Sequence, residues 1–215
     1  MTARTTGGGA GPRRPIAADN QVLRLLAELA GMPAETGGCF VPGGSAGNLS
    51  ALVTARDTAR RRRGLGPYDC VRFALSDQAH SSIGDALRII GVEPFAVPTM
   101  GHRITGPVLR TALLADAGPS HVTGVAAAGT ANAGIIDDLA GVAAVVRDFD
   151  LWLHVDGAYG VPVSSPRASG TATRESSRTT PVIAPHKWLI APFARRRVRR
   201  RHAAAGIRPG PACDQ

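Results

Sequence analysis

The chain has one lysine. Its 25 basic residues are 24 Arg and Lys187, so chemistry that needs a side-chain primary amine has a single candidate. Aromatic residues are scarce, 4% of 215 residues, which leaves Ala, Val, Leu and Ile to fill a core. The three cysteines, Cys39, Cys70 and Cys213, include no C-x-x-C pair; neither a disulfide framework nor a metal site is implied. No apolar h-region follows the basic, Gly-rich start, so no secretory signal is expected. The uncharged run 117–136 is broken by Pro119, His121, Asn132 and glycines. It reads as buried strand and loop rather than a membrane span. These absences leave a reduced, cytoplasmic, soluble protein as the expectation.

What is present is globular: 44% hydrophobic and 19% charged residues, with 26 Gly and 16 Pro that demand many turns. The net charge of +9 is not spread evenly. Through Ser165, Arg balances Asp and Glu; the whole excess lies beyond it, with six arginines in 195–201. The body therefore gives no signal for nucleic acid. Residues 1–18 are expected to be a disordered N-terminus, 19–193 a single domain with an irregular stretch at 164–180, and 194–215 an Arg-rich disordered tail.

Within the domain, strands and helices alternate. Asp19 is placed to cap a helix through Ala30, with Leu23, Leu26 and Leu29 spaced for one face. Ser45 is placed to cap a second helix that ends in Arg60–Arg63, which suit its negative end. Residues 71–75, 122–128 and 151–155 read as strands, and 81–90 and 137–147 as helices. This order predicts an α/β fold with a mainly parallel sheet flanked by helices. Ligands in such sheets sit beyond the carboxyl ends of the strands, where the clusters at 76–82, 129–132 and 154–160 fall.

Several of these residues suggest chemistry. Lys187 lies between apolar runs; it is either a solvated charge or an amine whose ammonium is disfavoured by apolar surroundings, as a Schiff-base lysine requires. Asp156 ends a strand, either as a turn carboxylate or as the partner of a pyridine nitrogen. His80 is either structural or placed to stack on a flat ring. Gly43–Gly47 opens a helix with small residues whose amides suit a phosphate. The same residues match G-x-S-x-G, so Ser45, Asp156 and His186 form an alternative hydrolase triad, although a strong preceding strand is wanting.

Five blocks in order, FVPGGSAGNLSALVTAR, SDQAHSS, GTANAGIIDDL, LWLHVDGAYG and PHKWL, resemble the group II pyridoxal-phosphate decarboxylases, which include the aromatic-L-amino-acid and glutamate decarboxylases. The resemblance implies a fold-type I large domain, pyridoxal 5'-phosphate as cofactor, a homodimer, and loss of CO2 from an amino-acid substrate. It implies that Lys187 binds the cofactor covalently and that Asp156 pairs with the pyridine nitrogen. Ala158 and His80 would flank the ring, and Gly44, Ser45, Ala46 and Thr130 would hold the phosphate, with His186 beside the lysine. Membrane and specific nucleic-acid partners are not implied.

The chain departs from the family at single positions and at its ends. Ala184 replaces a polar residue and Thr179-Thr180 an Asp-Ser pair, the resemblance ends at Phe193, and the family's C-terminal domain is not matched. An incomplete large domain with impaired activity is the expectation. Asp156 and Lys187 keep a family-like separation while the residues between lose all resemblance. That pattern, with the Arg run, suggests out-of-frame translation of 164–180 and 194–215. An inactive remnant with a basic tail is the remaining alternative.

Overall fold

The computed structural model describes residues 13–117, 121–158, 179–184 and 187. Five parallel strands, β1 (Arg72–Leu75), β2 (Glu93–Ala96), β3 (His121–Ala127), β4 (Trp152–Gly157) and β5 (Thr179–Ile183), form one sheet in the order β2-β1-β3-β4-β5. The predicted α/β architecture with a parallel sheet is the one observed.

Helices α2 (Gly44–Arg63) and α3 (Ser81–Ile90) cover one face of the sheet, where Leu52, Ile83 and Leu87 meet Phe73, Leu75 and Val125. Helices α4 (Gly106–Ala115) and α5 (Leu139–Asp148) cover the other, where Leu109, Val142 and Val146 meet Ala126, Leu153 and Val155. Alternate residues of a strand feed opposite faces, as the two-residue side-chain period requires. Small residues let the layers close: a Cβ on Gly106 would lie 2.7 Å from the Gly141 carbonyl oxygen, so α4 and α5 pack backbone on backbone.

Several boundaries differ from the sequence expectation. Helix α1 spans Arg13–Leu29, so residues 13–18 are helical rather than disordered, and Asp19 lies inside the helix instead of capping it. Pro15 falls in its first turn, where a missing amide proton costs nothing. Residues 1–12 lie outside the described residues. Helix α2 is capped by Gly43, not Ser45, and has no side-chain cap bond. Gly43 has φ 111, a left-handed backbone that glycine adopts without strain, and the helix starts two residues earlier than a Ser45 cap implies. Thr179 and Thr180 belong to β5 instead of the irregular stretch; residues 159–178 lie outside the described residues.

Elements β2 and α4 are additions. β2 carries Pro94 and forms the edge of the sheet, the position in a sheet that tolerates proline. α4 opens on Gly106-Pro107, a pair that reads as a turn but also starts helices. The thiol of Cys39 is free and exposed. Cys70 is disulfide-bonded, contrary to expectation. The Arg60–Arg63 run bonds its own neighbourhood, with Arg60 donating to the Asp69 carbonyl and Arg62 paired with Asp150.

Candidate functional site

The carboxyl ends of β4 and β5 and the N-terminus of α2 meet at one place. Trp152, His154 and Asp156 alternate along β4, so they share the face that α2 covers. β5 runs beside it with His154 opposite Thr180 and Asp156 opposite Val182. Gly44 begins α2 against Ala158: a Cβ on Gly44 would lie 3.4 Å from that of Ala158. Lys187 follows β5 by one turn, its amide donating to the Ala184 carbonyl at 3.0 Å.

At the centre is Asn48, 1% exposed on the buried side of α2. Its Nδ2 donates to Asp156 Oδ2 at 3.1 Å and to Ser82 Oγ at 3.0 Å. Its Oδ1 lies 3.0 Å from His154 Nε2, and His154 Nδ1 lies 3.3 Å from Thr180 Oγ1. Trp152 Nε1 donates to the same Thr180 oxygen at 3.0 Å. Ser82 Oγ lies 2.8 Å from His80 Nδ1, so His80 joins the network at the N-terminus of α3. His154 is fully buried, and desolvation lowers its pKa to about 4 despite the nearby Asp156 carboxylate and a Thr180 backbone bond. It is neutral at physiological pH.

The residues expected from sequence are therefore partly assembled. Asp156, Ala158, Gly44, Ser45 and Ala46 come together, and His80 is linked to them through Ser82 and Asn48. Lys187 lies at the same edge but is exposed, not sunk among apolar groups, because it lies past the last strand. Thr130 sits beyond β3 with its hydroxyl accepting the Ile135 amide at 3.1 Å, so it braces the turn 130–135. His186 lies outside the described residues. The hydrolase alternative loses its elbow: no strand precedes Gly43, and residues 37–41 form no regular element.

Sequence reasoning missed Asn48, Ser82, His154 and Thr180. A signal existed for two of them. Asn48 is a polar residue amid the inward positions of α2, and His154 is a polar residue in an otherwise apolar parallel strand, two residues before Asp156.

The donor set suits a small molecule with an anion at one end and a cationic ring at the other. The first amides of α2 have no partner within the helix and no side-chain cap, an arrangement that suits an anion, and Ser45 brings a hydroxyl to the same turn. Half-buried Asp156 suits a protonated nitrogen. Gly44 and Ala158 are both small where they face each other, so neither adds bulk between α2 and β4. Pyridoxal phosphate has this distribution of groups.

Comparison with known proteins agrees. The pyridoxal-dependent decarboxylase conserved domain matches residues 14–203. An aromatic-L-amino-acid decarboxylase of Bacillus atrophaeus is 33% identical over 178 residues, 80% of this chain and 36% of that protein. An L-2,4-diaminobutyrate decarboxylase of Rhizobium meliloti is 34% identical over 148 residues, 66% of this chain and 29% of that protein. Among solved structures, Rhodiola rosea 4-hydroxyphenylacetaldehyde synthase superposes with TM-score 0.71 at 26% identity, over 81% of this chain and 40% of that one. Oryza sativa TDC with PLP gives 0.69 at 26%, over 83% and 43%. The chain spans about a third of the length of these two curated relatives. Its sheet is that of a fold-type I large domain, and the chain belongs to the pyridoxal-dependent decarboxylases, whose cofactor is pyridoxal 5'-phosphate.

Proposed function

We propose that this chain holds pyridoxal phosphate for the decarboxylation of an amino acid. The observation that carries the reading is the apposition of the α2 N-terminus, which has no side-chain cap bond, to Ala158, with Asp156 two residues away at the end of β4. The amides of Gly44, Ser45 and Ala46 and the Ser45 hydroxyl bind the phosphate. Asp156 holds a proton on the ring nitrogen. Ala158 and His80 flank the ring, and Thr130 closes the phosphate end through the turn it braces. Lys187, the one primary amine among the side chains, supplies the covalent attachment, with His186 as its neighbour.

Bound there, the cofactor supplies an aldehyde that captures amines and a ring that withdraws the electron pair left when CO2 departs. Asp156 makes that withdrawal effective by keeping the nitrogen charged, and the ring-flanking residues hold the plane fixed. The related proteins act, by name, on several substrates, so the proposal extends to an amino acid and no further. A homodimer and a cytoplasmic setting belong to the same reading. One face of α1 supports an apolar contact through exposed Val22, Leu25 and Leu29. No helix among the described residues is long and apolar enough to cross a membrane.

Cofactor capture is the direct test. The chain is mixed with pyridoxal phosphate, reduced with borohydride and digested. The modified peptide is expected to contain Lys187, and Lys187→Ala is expected to abolish side-chain labelling. A fluorophosphonate adduct on Ser45 without labelling at Lys187 would overturn the proposal in favour of a hydrolase.

A further inference from the structure

We propose that Asn48 is the positioning residue of this site: its single amide holds the Asp156 carboxylate directly, fixes the tautomer of His154 behind it, and reaches His80 through Ser82. The inference rests on the cofactor reading above for its purpose, but not for its geometry.

The argument follows donors and acceptors. An ionised carboxylate only accepts, so the group 3.1 Å from Asp156 Oδ2 must be the amide nitrogen of Asn48. The reversed amide would set two acceptors against each other at that distance, in a spot where Asn48 is 1% exposed and water cannot intervene. With the nitrogen so placed, the carbonyl faces His154 Nε2 at 3.0 Å. A carbonyl also only accepts, so His154 carries its proton on Nε2. Neutral His154 then has a bare Nδ1, which takes the hydroxyl proton of Thr180 at 3.3 Å, whereas the Thr180 backbone bond favours the charged ring. The Thr180 oxygen in turn accepts Trp152 Nε1–H at 3.0 Å. Every donor from Trp152 through Thr180, His154 and Asn48 points the same way, and the chain ends on Asp156. Bonds aligned in this manner polarise one another.

The second proton of the Asn48 amide goes to Ser82 Oγ at 3.0 Å. That leaves the Ser82 hydroxyl to donate to His80 Nδ1 at 2.8 Å, where the Ser82 backbone amide also points at 3.2 Å. Both donors fix His80 as the tautomer with a bare Nδ1 and its proton on Nε2. Asn48 is thus the one branch point joined to Asp156 directly and to His80 through Ser82. No other side chain among the described residues bonds to both arms.

The test reads tautomers directly. In the full chain labelled with 15N-histidine and free of cofactor, imidazole nitrogen shifts distinguish protonated from bare ring nitrogens. His154 and His80 are expected as Nε2–H tautomers at neutral pH, each assigned by its loss in His154→Gln or His80→Gln. Finding His154 protonated on Nδ1 in the unsubstituted chain overturns the proposal without any variant. Thr180→Val removes the far donor but leaves Asn48, so His154 is expected to keep its Nε2 proton. Asn48→Ala is expected to turn His154 into a mixture of tautomers and to shift the visible absorption of bound pyridoxal phosphate, with borohydride labelling of Lys187 retained. A folded Asn48→Ala chain with both tautomers and the absorption band unchanged overturns the proposal. Loss of Lys187 labelling in the unsubstituted chain strikes the cofactor reading instead, since the tautomer spectra contain no cofactor.

Discussion

Asp137 and Asp156 both adjoin Ala127, from opposite sides, and are used in opposite ways. Asp156 pairs in register with Ala127 on the neighbouring strand, and Asp137 accepts the amide of that same Ala127 at 2.7 Å. The other oxygen of Asp137 accepts the Ile104 amide at 2.8 Å. Both oxygens are thus engaged by main chain, and the side chain is buried. Burial raises its pKa, and the two backbone bonds only partly oppose that. Asp156 instead takes one firm bond from a side chain, Asn48, and a long 3.4 Å contact from the Ala158 amide, and is half exposed. A carboxylate saturated by backbone ties loops to a strand. One held from behind by a side chain and open in front keeps its charge available to a ligand.

The largest effect should come from the saturated partner. Asp137→Ala leaves two buried amides unpaired, a cost of about 2–6 kcal/mol at 1–3 for each. Urea denaturation should show this loss of stability whether or not cofactor is present. A change under 1 kcal/mol would break the contrast by making Asp137 dispensable.

Acid separates the two regions by sign. His154, behind Asp156, has a folded pKa of about 4 against 6.5 for the free side chain. Its unfolded form takes up a proton first, so stability present above pH 6.5 falls as pH drops toward 4, by about 3 kcal/mol. Asp137 works the other way. Its folded pKa lies above the free value of 3.8, so the folded state takes up a proton first and gains stability as pH falls through that range. Asp137→Asn should therefore steepen the acid loss, and His154→Gln should flatten it, in denaturation series from pH 7 to 4.

Asp156→Ala should affect binding first, since it leaves one Asn48 amide proton unpaired where Asp137→Ala leaves two backbone amides. A charge-assisted bond is worth about 1.5–3 kcal/mol, which is roughly a 10- to 100-fold weaker hold on pyridoxal phosphate, read by fluorescence titration. If the affinity held and the stability fell instead, Asp156 would be a second Asp137.

Much of the scaffold was legible because local signals agreed with the final structure. Helix 81–90 ends at Gly91, whose left-handed φ of 63 is the cap that glycine advertises. Strands 71–75, 122–128 and 151–155 stood out as apolar runs. The edge strand β2 was hidden by Pro94, and α4 by a Gly-Pro start, because both residues signal turns when no neighbour is known. The site was half legible. Gly44, Ser45, Ala46, Asp156 and Ala158 lie within two short motifs, whereas the network behind them joins Asn48 to His154 across 106 residues. No period or spacing encodes such a pair; only the packing of α2 on β4 does.

A third carboxylate sets the floor of the scale. Asp85 bonds Arg88 at 2.8 Å on the outer side of α3, and both side chains are more than half exposed. Water solvates these charges in the folded and unfolded states alike, and holding two long side chains together costs rotamer entropy. Asp85→Asn should therefore change stability by no more than about 0.5 kcal/mol, and less at high salt. Since Asp85, Asp137 and Asp156 share one chemical group, a ranking of stability effects with Asp137 well above Asp85 would attribute the difference to buried main-chain bonding. A cofactor-affinity effect confined to Asp156 would attribute the remainder to its open face. If Asp85→Asn matched Asp137→Ala in cost, exposure would not be what distinguishes these carboxylates, and the contrast drawn between the two sides of Ala127 would lose its basis.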